Sequence, residues 1–89
     1  MILHTTEKFW KLYSALPVDI RKQAKIAYIQ FKNNPYHPSL QFKRTHSSKP
    51  VCSVRINIDY RAVGIIDNVD ILWFWIDSHR EYEKILQKL

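Results

Sequence analysis

Residues 71–76, Ile-Leu-Trp-Phe-Trp-Ile, are apolar at every position. The run is too short for an ordinary helix, and its β-branched and aromatic content is that of a strand. It reads as a central strand, apolar on both faces, with Trp73 and Trp75 at period two. A helix start follows at once. Ser78-x-x-Glu81 has the spacing of a capping box, in which the hydroxyl accepts from a backbone N–H and the carboxylate reaches back to the cap. Tyr82, Ile85, Leu86 and Leu89 then recur at i, i+3, i+4 and i+7, one face of a helix. His79, Arg80 and Tyr82 therefore fall where a central strand ends, a rigid place to hold polar groups near solvent.

The rest of the chain supplies the layers that such a strand needs. Thr5 or Thr6 caps a first helix, with Glu7 in its first turn and Phe9, Leu12, Tyr13 and Leu16 on its apolar face. Pro17 and Asp19 open a second helix whose buried face is Ile20, Ala24, Ala27, Tyr28 and Phe31. Asn33-Asn34-Pro35 ends it, and Pro38 reinforces the break. Leu40-x-Phe42 alternates briefly as a strand. From residue 51 the alternation is clear, with Cys52, Val54, Ile56 and Ile58 on one side and Ser53, Arg55 and Asn57 on the other, the pattern of a half-exposed antiparallel strand. A turn near Ile58-Asp59 leads to a strand over 60–66, and Asp67-Asn68-Val69-Asp70 turns into the tryptophan strand. Links this short make a meander. The expected fold is α+β: two N-terminal helices packed on a twisted, mainly antiparallel four-stranded sheet, with a short C-terminal helix. The whole of 1–89 reads as one domain.

Composition narrows the function. Cys52 is the only cysteine, so no disulfide supports the fold, and a reducing, cytoplasmic setting is expected. No apolar run approaches the roughly 20 residues needed to span a bilayer. The net charge is +6, unevenly placed: residues 1–50 hold nine Lys/Arg against two acids, and residues 51–89 hold five against six. That skew favours an anionic partner, nucleic acid or an acidic protein segment, although a solvated surface has the same composition. The single glycine, Gly64, argues against a phosphate-cradling loop. His4, His37, His46 and His79 are scattered without companion cysteines, so neither a metal nor another cofactor is expected. Cys52 lies on the apolar side of its strand, and no serine has a nucleophile-elbow context.

Three groups of residues have chemistry to offer. Arg55 and Arg61 flank the Ile58-Asp59 turn, and a tight hairpin would bring them together as a pair suited to a phosphodiester. Otherwise they are unrelated surface arginines. Lys43, Arg44, His46 and Lys49 surround a hydroxyl-rich loop that is either an RNA-contacting rim or an ordinary exposed loop. Tyr36 and His37 in the adjoining loop can stack on a base or pack against the second helix. His79 is the candidate general acid or base, set against the plainer reading of a first-turn surface residue.

These fragments, in order, resemble one family. Leu16-Pro17-x-x-Ile20, Asn34-Pro35-x-x-Pro38-Ser39-Leu40, Val54-Arg55-Ile56, Tyr60-Arg61 and Trp75-Ile76-x-Ser78-His79-x-x-Tyr82 look like the RelE/ParE superfamily of bacterial toxins. The resemblance runs from about Leu16 to Leu86. It implies an antitoxin that wraps the basic surface. The activity it implies is messenger-RNA cleavage on the translating ribosome, or gyrase poisoning in the ParE branch. A silent member would keep only the antitoxin contact. By position, Arg61 matches the arginine that contacts the scissile phosphate, Arg55 a basic residue of the preceding strand, and His79 a histidine that serves some members as general acid. Lys43, Arg44, His46, Lys49 and Tyr82 would hold the RNA. The family's usual opening strand has only Met1-Ile2-Leu3 to supply it, its terminal tyrosine is represented by Tyr82 within a helix, and no acidic base is placed on the hairpin.

Overall fold

The computed structural model describes residues 2–89. Its sheet is built on the two hairpins expected from the alternation. Strand β3 (Val51–Arg55) pairs antiparallel with β4 (Tyr60–Asp67), which pairs antiparallel with β5 (Asp70–Ser78). Asn68 closes the second hairpin at φ 55°, a left-handed conformation that asparagine tolerates. A two-residue strand, β2 (Lys43–Arg44), adds to the far side of β3. This is a shift from the expected Leu40-x-Phe42 strand. Leu40 instead closes a 3-10 helix, Pro38–Leu40, and is buried, because a hydrophobic anchor there plugs the sheet rather than extending it.

One strand lies outside the expected order. β1 (Ile2–Thr5) runs parallel to β5, giving a five-stranded mixed sheet in the order β1-β5-β4-β3-β2. Of Met1-Ile2-Leu3, the only segment that could supply the family's opening strand, Met1 lies outside the described residues. Three of the four β1 residues are exposed and only Leu3 packs against the core, so little alternation marks the strand.

Helices α1 (Glu7–Ser14) and α2 (Val18–Asn33) cover one face of the sheet. Thr6 is the first cap, its Oγ1 accepting from Phe9 N at 3.1 Å. The apolar stripe of α2 buries Ile20, Ala24, Ala27 and Phe31 against Cys52, Val54, Ile71, Trp73 and Ile76. Tyr28 leaves the expected stripe: it is 47% exposed, with Lys32 Nζ 5.7 Å from its ring centre. Helix α3 (His79–Lys88) lies over the other face, and Tyr82 packs there with Val51, Val63 and Trp75.

That second layer corrects the reading of β3 as half-exposed. Ser53, on the side expected to face water, is 2% exposed beneath α3. The tryptophans are also on opposite faces, Trp73 toward α2 and Trp75 toward α3. A β-bulge is the cause. Val63 pairs with Trp75 and Gly64 with Trp73, so Phe74 is an extra residue that reverses the phase of β5. No helix among the described residues is long and apolar enough to cross a membrane.

Candidate functional site at the end of the sheet

The candidate residues gather where β3 and β5 end and β4 and α3 begin. Arg55 pairs directly with Arg61, and Arg61 with Asp77 on β5. The hairpin thus sets two guanidinium-bearing residues side by side on the face that carries α3. Like charges directly opposite each other weaken a sheet. Neither arginine forms an ion pair with any carboxylate among the described residues. Partial burial, and then the nearby Arg55 charge, lower the pKa of Arg61, while Tyr82 and Asp59 act in the opposite sense. Two partly desolvated cations without an acid partner make a place for an anion.

Arg61 is held by backbone. Its Nη1 donates to the carbonyls of Asn57 at 2.6 Å, Tyr60 at 3.0 Å and Ile58 at 3.4 Å. The same loop is closed by Asn57, whose Oδ1 accepts from Asp59 N and Tyr60 N. Asp59 turns its carbonyl toward α3, accepting from His79 N at 2.6 Å. The arginine hairpin and the histidine helix are therefore locked together through main chain.

The helix cap is half of the expected box. Ser78 Oγ accepts from Glu81 N at 3.3 Å, but Ser78 N donates to Asp77 Oδ1 at 2.8 Å, and Glu81 turns to Lys84. His79 is exposed at the first turn. Its Nε2 lies 3.3 Å from Glu83 Oε1, one turn along, and its ring leans on Tyr82 with centroids 5.7 Å apart. Tyr82 in turn rests on Trp75 and donates its hydroxyl to Ser53 Oγ at 3.2 Å.

Tyr82 is therefore a correction to the RNA-binding set. At 7% exposure it has no open face for a base, and it acts as the platform beneath His79. The basic loop divides in the same way. Lys43 pairs with Ser53, which puts it on the site's face of the sheet, while Arg44 pairs with Cys52 on the opposite face. His46 is committed to its loop, its Nδ1 accepting from Ser48 N at 3.2 Å and Lys49 N at 3.0 Å. Lys49 Nζ donates to the Leu89 carbonyl, tying the loop to the end of α3. His37 similarly caps the 3-10 helix, and Tyr36 is the most exposed aromatic, tilted against Phe42. Cys52 is fully buried, and burial pushes its thiol up to about 11.

Asp77, Ser53 and Glu83 were not singled out from the sequence. Asp77 and Ser53 each lie two residues from a singled-out position in a strand, and Glu83 lies one helical turn beyond His79. The signals were period two and i+4 applied outward from the candidates already chosen.

The ParE-like toxin domain family matches residues 18–84, which includes every residue of this cluster. The chain belongs to the ParE-like toxin domain family. The fold of this ParE-like toxin is that of solved RelE-type structures. The RelB–RelE antitoxin–toxin complex from Methanococcus jannaschii superposes with a TM-score of 0.74 at 16% identity, covering 92% of this chain and 96% of the other. YafQ from E. coli gives 0.70 at 13% identity, covering 90% and 94%. The YoeB/ParE toxin from Agrobacterium tumefaciens gives 0.69 at 15%, covering 89% and 99%. No curated protein matches the sequence.

Proposed function

We propose that this ParE-like toxin is a metal-independent endoribonuclease that cuts messenger RNA on the ribosome. The observation that carries the reading is the cross-strand pair Arg55–Arg61, which has no acid partner among the described residues and stands beside the first turn of α3. In such a cleavage the 2′-hydroxyl gives its proton to water as it attacks the adjacent phosphorus, a 2′,3′-cyclic phosphate forms as the bond to the 5′-oxygen breaks, and the 5′-oxygen leaves with a proton. Arg61, with Arg55, stabilises the charge that builds on the phosphate oxygens. His79, oriented by Glu83 and the Tyr82 ring, supplies the leaving-group proton. Lys43, and more remotely Arg44, His46 and Lys49, hold the RNA backbone. The set is sparse, so the ribosome supplies much of the positioning.

The partner is an acidic antitoxin segment. Between α1, α2 and the sheet runs an open apolar groove of about 710 Å³, with Trp10, Tyr13 and Tyr28 in its walls and Arg21, Lys22 and Lys25 along it. Arg21 Nε is buried there without a hydrogen-bond partner among the described residues. Apolar side chains flanked by carboxylates fit such a groove, and a disordered segment would fold as it enters.

A second reading has its own support. The matched family is the ParE-like one, and Arg61 Nη1 is already engaged by loop carbonyls. On that reading the toxin acts without catalysis, by binding gyrase. Expression without a partner separates the two. The ribonuclease reading expects slowed growth and cleavage of a reporter transcript only when its start codon is intact. Intact transcripts with accumulating DNA breaks transfer the assignment to gyrase.

A further inference from the structure

Four carboxylates stand on the segments that carry the arginine pair and His79: Asp59, Asp77, Glu81 and Glu83. Three are engaged. Asp77 Oδ1 accepts from Ser78 N at 2.8 Å, Glu81 Oε1 lies 3.3 Å from Lys84 Nζ, and Glu83 Oε1 lies 3.3 Å from His79 Nε2. Asp59 is exposed, and its carboxylate has no hydrogen bond or ion pair among the described residues. It is the one acid at the site with both oxygens free.

The loop holds Asp59 by its main chain on both sides. Its N–H donates to Asn57 Oδ1 at 2.8 Å, and its carbonyl accepts from His79 N at 2.6 Å. The same loop offers the carbonyls of Asn57, Ile58 and Tyr60 to Arg61 Nη1. Arg61, Asp59 and His79 therefore share one main-chain frame. A place in the turn, rather than on a strand, is what brings Asp59 to the first residue of α3. Burial lowers the pKa of Arg61 most, and the charge of Asp59 acts in the opposite sense, so the carboxylate is near enough for the guanidinium to feel it. The two form no contact ion pair. A carboxylate in that position keeps its lone pairs for a proton.

We propose that Asp59 is the proton acceptor of the cleavage, taking the 2′-hydroxyl proton through one water while Arg61 holds the phosphate. The proposal rests on the ribonuclease reading. The 2′ O–H bond breaks as that oxygen bonds to phosphorus, and the proton passes over the water to the Asp59 carboxylate. The bond from phosphorus to the 5′-oxygen breaks, and the departing oxygen takes a proton from His79. Solvent then removes the proton from Asp59 and returns one to His79, which resets both side chains.

Asp59→Asn tests this cleanly, because the bonds that Asp59 makes are main-chain bonds and survive the change. Cleavage is followed on programmed ribosomes at a mapped cut site, in single turnover. Asp59→Asn should be slower than the parent by about 10²–10⁴-fold, the usual worth of a positioned base. Its affinity for a short RNA should equal or exceed the parent's, since a carboxylate repels phosphate. A residue that only steadied the arginines would lose affinity and rate together. A message with sulfur in place of the leaving 5′-oxygen separates base from acid, because a thiolate departs without a proton. That message should restore cleavage by His79→Ala and leave Asp59→Asn slow. Cleavage by Asp59→Asn at the parent rate, an affinity loss that matches its rate loss, or rescue by the sulfur message overturns the proposal and leaves the ribonuclease reading standing. Ribosome-bound message left whole by the parent protein removes that reading, and this proposal with it.

Discussion

Arg61 is proposed to serve the anion site together with Arg55, and its Nη1 braces three carbonyls of the loop between β3 and β4, so a substitution there must be read against both. Arg61→Ala is expected to abolish growth inhibition, because one charge-assisted phosphate contact is worth roughly 1.5–3 kcal/mol, or one to two decades in rate. The sheet pairs by backbone on both sides of this residue, so the domain should still fold while the loop loosens. Circular dichroism checks the fold, and salt-dependent RNA binding should weaken in parallel. Full toxicity at unchanged expression would remove Arg61 from the site.

Among the elements, β5 shows most clearly where sequence reading reached its limit. Its existence and its junction with α3 are legible in the apolar run 71–76 and in Ser78-x-x-Glu81. The bulge at Phe74 is not, because a run apolar at every position looks the same with or without a change of phase. The lone glycine held the clue. A Cβ on Gly64 would lie 2.8 Å from Trp73 Cε3, 3.0 Å from Ile71 Cγ2 and 3.1 Å from the Leu72 carbonyl oxygen, the strand segment just before the bulge. The last contact is backbone and cannot rotate away. Gly64→Ala should therefore destabilise the domain by about 1–3 kcal/mol, read from urea unfolding. An unchanged midpoint would show that the bulge can relax. β1 could be anticipated only through the resemblance, at Met1-Ile2-Leu3, since a short, mostly exposed edge strand carries little pattern of its own. The Arg55–Arg61 pairing could be anticipated from the hairpin, whereas the burial of Ser53 and Tyr82 depended on where α3 lands, a long-range contact that local periodicity does not encode.

At the scale of the whole molecule, charge and shape point to one kind of partner. The basic excess lies in residues 1–50, and α2 from that half contributes Arg21, Lys22 and Lys25 to an open apolar groove. An acidic antitoxin segment meeting that surface should gain more in encounter rate than in affinity from its charges. Raising salt should therefore slow association markedly and change dissociation less, in a surface-capture experiment with the purified pair. An association rate indifferent to salt would contradict the electrostatic account. The central claim remains that the arginine pair and His79 cut messenger RNA with the help of the ribosome. The most direct measurement supplies purified protein to programmed ribosomes and to the same RNA free in solution, and maps new 5′ ends by primer extension. The account predicts cuts in the ribosome-bound message that disappear with Arg61→Ala, and little or no cutting of free RNA. Uncut message on ribosomes, at protein concentrations that arrest growth in cells, would contradict it.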